Sequence, residues 1–174
     1  MIVGVAAGAF SAYLAIQNAG VEAVSSGSPW LSRAEAMEGG DGFYVRSHYL
    51  IEGRLPPAQG QLVEATAETD SEGQPLTTTC RYRLSSTGPL PRWWSLAVTG
   101  WGNDGTSRQT VADSDTVIRD PDGSVIIIAS RTPQSGNWLK APDSRRFTIL
   151  YSAIPVSGRA SIAEPAFSIA REDC

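Results

Sequence analysis

Few residues in this chain have chemical capacity, and their spacing narrows what they could do. Asp113, Asp115, Asp120 and Asp122 lie close together in sequence. A pair of carboxylates is the machinery of glycoside hydrolysis, one acting as acid and the other as base or nucleophile. These four flank turn-forming residues, however, where aspartate is favoured because it bonds its own backbone. Turn formation is therefore the stronger reading. The Asp120-Pro121-Asp122-Gly123 stretch also lacks the longer spaced acid series of a calcium loop. His48 is the sole histidine, which excludes a histidine-dominated metal site, and no G-x-S-x-G accompanies it. It is read as a packed or surface histidine. Arg81 and Arg83 fall on one side of a strand-like run and could hold an anion; pairing with neighbouring acids on a solvated face is the preferred role. Trp93, Trp101 and Trp138 could form an aromatic platform for a sugar, a lipid or a partner, with core packing as the competing role. No catalytic residue, cofactor or metal ligand is assigned, and a non-enzymatic role is favoured.

Those side chains need elements to position them. The 174 residues suit one domain plus a short accessory segment. A net charge of −4 and a pI near 5.0 argue against nucleic acid, whose binding rests on clustered Lys and Arg. Seventeen glycines, eleven prolines and five tryptophans suit a loop-rich β domain.

The run Ile2 to Ile16 (IVGVAAGAFSAYLAI) carries no charge. As a helix it spans roughly 22 Å, short of a hydrocarbon core about 30 Å thick, and continuing through Val24 supplies the missing length. A short membrane anchor, a signal-peptide remnant and a buried helix compete. The anchor is preferred, because a signal peptide opens with Lys or Arg and none precedes Arg33. Gly4, Gly8 and Ala12 make a small-residue stripe on which another membrane protein could pack. The expected partition is 1–24 as amino-terminal anchor, 25–40 as stalk, and 41–174 as a β domain beyond the membrane.

Within that domain, Phe43 to Ile51 reads as a short helix, and Ser32 to Met37 as another with a capping box. Strands are predicted over Leu62–Thr69, Leu76–Leu84, Arg92–Trp101, Ser124–Ser130, Phe147–Ile154 and Ala166–Ala170, with Thr132–Pro142 as a loop. Alternation places Cys80, Tyr82 and Leu84 on one face and Arg81 and Arg83 on the other. Ser124–Ser130 is continuously apolar, as in a strand buried on both faces. The whole implies an antiparallel β-sandwich or jelly-roll-like fold. In a reducing compartment Cys80 and Cys174 would be unrelated thiols; beyond a membrane their even count favours a bridge tying down the last residue.

Three segments together, PRWWSLAV, DPDGSVIII and GNWLKAP followed by FTILY, resemble the bacterial family called domain of unknown function 1214. The likeness covers roughly Leu62 to Phe167. The apolar first helix, the Cys80-Arg81-Tyr82-Arg83-Leu84 strand and the terminal Cys174 resemble its short, membrane-anchored alphaproteobacterial members. The resemblance implies an all-β envelope domain and brings no catalytic residues. Lys140 stands where the family's loop often has proline, which puts any loop-borne site in doubt. The functional expectation is an accessory or scaffolding subunit of an inner-membrane complex, single-pass, with its carboxy-terminal domain in the periplasm. The partners would be an integral membrane protein and membrane lipid. The alternative is a periplasmic glycan- or lipid-binding domain, with hydrolysis open to it.

Overall fold

The computed structural model describes residues 2–33, 42–51, 53, 55, 62–101, 107–155 and 165–174. In chain order the elements are α1 (Ile2–Asn18), β1 (Val21–Ala23), β2 (Trp30–Arg33), α2 (Gly42–Ile51) and β3 (Val63–Ala67). They continue with β4 (Arg81–Ser86), β5 (Trp94–Trp101), β6 (Ser107–Asp113), β7 (Ile126–Ser130), β8 (Asn137–Lys140), β9 (Thr148–Ala153) and β10 (Phe167–Asp173). One sheet runs β1-β2-β3-β9-β5-β6 and the other β10-β4-β7-β8. Pairing is antiparallel throughout except between β7 and β8, which are parallel.

Both sheets contribute to one core, because alternation turns every second side chain of their strands inward. Leu96 and Trp94 of β5, Ile149 and Tyr151 of β9, Tyr82 and Leu84 of β4, Ile127 of β7 and Phe167 and Ile169 of β10 are all buried there. Trp94 meets Phe167 at 5.0 Å between ring centroids, and Tyr151 meets the same ring at 6.3 Å. Trp30 is packed inside, its Nε1–H donating to the Phe167 carbonyl at 2.8 Å.

Several expectations are corrected. The helix does not reach Val24: Gly20 takes a left-handed φ of 65°, which ends α1 after Asn18 and turns the chain into β1. Residues read as stalk instead form a hairpin, Val21 opposite Arg33 and Ala23 opposite Leu31, and β2 then joins β3. Ser32 and Arg33 lie in β2; the rest of the expected Ser32–Met37 helix falls outside the described residues. Leu76 to Cys80 precede the strand rather than belonging to it. Trp138, placed in a loop, is in β8. The run from Ser124 is central in its sheet but buried on one face only: Val125, Ile127 and Ala129 point inward while Ile126 is 36% exposed.

α2 forms as expected, and buries Val45 and Tyr49 against Ala19. In α1, by contrast, residues 3–15 are exposed, which overturns the buried-helix reading. Among the described residues no helix is long and apolar enough to cross a membrane.

Burial pushes the Tyr151 phenol up to about 12 from its usual 10.0. An unfolded tyrosine ionises first, so between about pH 10 and 12 the unfolded state holds fewer protons and stability falls as pH rises. The contribution is intact below pH 10 and its loss reaches on the order of 2 kcal/mol by pH 12. Urea unfolding of the wild type and Tyr151→Phe from pH 9 upward should show the wild type losing stability relative to the variant above pH 10. A difference independent of pH would contradict the assignment.

Candidate functional site

The four-stranded sheet turns its outer face to solvent, and the side chains not needed for the core converge there. On β4, Tyr82 and Leu84 point inward, so Arg81 and Arg83 point out. Arg83 lies opposite Ile128 of β7 on one side and Ala170 of β10 on the other, and Ile128 lies beside Trp138 of β8. Ile126 and Ile128 floor a groove of about 390 Å³ between the arginines and the Gln134–Asn137 segment, with Glu172 and Asp120 also on its walls.

The far wall depends on a tight return between the parallel strands β7 and β8. Gly136 makes the turn possible at a φ of 80°. Asn137 then fixes the strand start: its Oδ1 accepts from Ile118 N–H at 2.7 Å, and its Nδ2 donates to the Ile118 and Ile126 carbonyls. Trp138 Nε1 donates to the Ser130 carbonyl at 3.1 Å, closing the return from the other end.

Glu172 crosses from β10 to both arginines. Its Oε2 lies 2.8 Å from Arg81 Nε, a charge contact rather than an aligned hydrogen bond, and its Oε1 accepts from Arg83 Nε at 2.5 Å. Asp173 takes Arg81 Nη2 at 2.9 Å. The arginines are thus paired with acids, as preferred from sequence. The next residue, Cys174, is joined to Cys80 with the sulfurs 2.07 Å apart.

Arg171 anchors the same segment from below. Its Nη2 lies 3.1 Å from Asp70 Oδ2 and donates to the Pro75 carbonyl at 3.0 Å, while its guanidinium stands 5.6 Å from the centre of the Tyr82 ring. Asp70 is buried, and its Oδ1 accepts the Glu72 and Gln74 N–H groups. Neither Asp70, Arg171 nor Glu172 is singled out by the sequence alone. Their complementary charges, separated by about a hundred positions, carry no local signal.

The other candidates disperse. Asp113 caps its own turn, accepting from Asp115 N–H, Thr116 N–H and the Thr116 hydroxyl, and the Thr116 hydroxyl foremost holds its carboxyl below the usual range. Asp122 Oδ1 accepts the Ser124 N–H at 2.9 Å, again a turn role. His48 lies on α2 with its ring against Tyr49. Trp93 immediately precedes β5 and Trp101 is its last residue, about 25 Å away along the backbone of an extended strand, and Trp138 belongs to β8 of the other sheet. Gly4, Gly8 and Ala12 are exposed on α1, and a Cβ added at either glycine meets nothing within 4 Å. Among the described residues, no cluster of three or more His, Cys, Asp or Glu could hold a metal ion.

A family model described as "Protein of unknown function (DUF1214)" matches residues 61–154, more than half of the chain. The chain belongs to the DUF1214 family. The matched span contains β3 to β9, including the groove's arginines and its Gln134–Asn137 wall; β10, with Glu172, lies beyond it. No curated protein matches the chain. Two solved structures share the fold. A protein from Burkholderia cenocepacia is 20% identical, with a TM-score of 0.53 over 82% of this chain and 34% of its own. The VPA0106 protein from Vibrio parahaemolyticus is 17% identical, with a TM-score of 0.57 over 75% of this chain and 35% of its own. This DUF1214 chain therefore spans about a third of the length of either.

Burial decides which of its ion pairs matter. Arg171→Ala leaves the buried Asp70 carboxylate without its cation and should cost about 1–3 kcal/mol in urea unfolding. Arg131→Ala breaks a pair with Asp143 in which both side chains are about half exposed, and should cost less than about 0.5 kcal/mol. Equal losses would contradict this ranking.

Proposed function

We propose that this protein is a membrane-anchored, non-enzymatic envelope protein of the bacterial inner membrane. Its sandwich-type, jelly-roll-like β domain faces the periplasm and serves as an accessory or scaffolding subunit of an integral membrane complex. The observation that carries the reading is α1. Its residues 3–15 carry no charge and are exposed, with Val3, Val5 and Phe10 more than 60% accessible. In water such a surface is strongly disfavoured, and lipid or an apolar partner removes the penalty.

Two features agree with lipid contact. The Ser11 hydroxyl donates to the Gly8 carbonyl and the Asn18 amide to the Leu14 carbonyl, so these two polar side chains are satisfied within the helix. The Cys80–Cys174 bridge suits an oxidising compartment. At 17 residues α1 is about 25 Å long, several ångströms short of a typical hydrocarbon core. Packing against a longer helix relieves that mismatch, and the open Gly4-Gly8-Ala12 face admits close approach of a neighbouring backbone.

Alkaline-carbonate washing of membranes tests the anchor. The wild type should stay in the pellet, whereas Phe10→Arg/Leu14→Arg should move to the supernatant while its β domain stays folded. Release of the wild type would overturn the anchor. Gly4→Leu/Gly8→Leu should remain in the pellet but lose the proteins that co-purify with the wild type in mild detergent. Unchanged co-purification would overturn the helix-packing role.

A further inference from the structure

Glu172 sits on the Arg81–Arg83 pair as a ligand carboxylate would, one oxygen to each Nε. An ion pair that only held β10 to β4 would need no space beside it. Here the pair opens onto the groove of about 390 Å³, within the range of small-molecule sites. Its floor is aliphatic, and nothing in the described chain covers it: Ile126 and Ile118 are both exposed. Arg83 is engaged through Nε alone among the described residues, leaving its terminal nitrogens as donors toward a second acceptor.

We infer that this groove is a binding site for a small aliphatic carboxylate, and that Glu172 is its tethered occupant. The arginines supply the charge-assisted seat, the isoleucines take the ligand's methylene groups, and the Asn137 end closes the far wall. Glu172 competes from within. It is fixed before by β10 pairing and after by the Asp173–Arg81 contact and the Cys174–Cys80 bond. A short tether holds a competitor at millimolar effective concentration or above, which discounts the affinity of any free acid. The bridge thereby controls access to the seat as well as the end of the chain. The inference does not depend on how α1 is held.

Glutarate, the free counterpart of the Glu172 side chain, is the probe. It should be titrated at low salt into the full chain in non-ionic detergent, with uncharged glutaramide as control and binding read by ¹⁵N NMR. Glu172→Gln should bind glutarate at least about tenfold more tightly than the wild type, the gain expected where the tethered carboxylate's effective concentration exceeds its own dissociation constant about tenfold. Adding Arg83→Gln should abolish that gain. The double variant Cys80→Ser/Cys174→Ser keeps Glu172 but loosens its tether, and should fall between the two. Equal glutarate affinity in the wild type and Glu172→Gln, or glutaramide binding as well as glutarate, would overturn the proposal.

Discussion

The return of the last strand to the side of β4 is the constraint on which the rest of the fold depends. β10 brings Phe167 and Ile169 to the core, where Phe167 touches Trp94 and Tyr151 from the opposite sheet. Its carbonyl at Phe167 also receives the Trp30 indole N–H, so the early hairpin is fastened to the latest strand. An edge strand, paired on one side only, is the most weakly held element of a sheet. Here it is held by three successive devices: Arg171 on the buried Asp70, Glu172 and Asp173 on the β4 arginines, and Cys174 on Cys80. The covalent one closes a span of 94 positions, for which the chain-entropy model gives about 4–5 kcal/mol.

The chain answers two different burial problems. The β domain hides its aromatic and aliphatic side chains between two sheets and turns charge outward. α1 does neither, leaving residues 3–15 uncovered. One molecule thus carries one surface suited to water and one suited to an apolar medium. The groove belongs to the first surface. Its floor is formed by isoleucines, so something apolar can rest there.

The parts legible in the sequence were those with a local periodic signal. Alternation in TCRYRL gave Tyr82 and Leu84 a shared face, which is the buried one, and with it the outward arginines. The uncharged first run gave α1, and the Asp-rich turns gave Asp113 and Asp122 their backbone roles. What failed had no such signal. β6 (SRQTVAD) is a polar edge strand, and the four residues of β8 hide behind TPQSG. The β1–β2 hairpin was masked by its SSGSP turn, and the continuous apolar run of β7 concealed that two isoleucines face out. The Glu172–arginine and Asp70–Arg171 pairs are tertiary, and no local pattern announces them.

The central claim is an oxidised β domain closed by the bond between Cys80 and Cys174. It is tested most directly by trapping thiols with an alkylating agent in intact cells, then mapping unreduced peptides by mass spectrometry. The account expects the Cys80 and Cys174 peptides to be recovered as one disulfide-linked species, with neither alkylated. Recovery of both as separate, stoichiometrically alkylated peptides would contradict the closure and the oxidising compartment together.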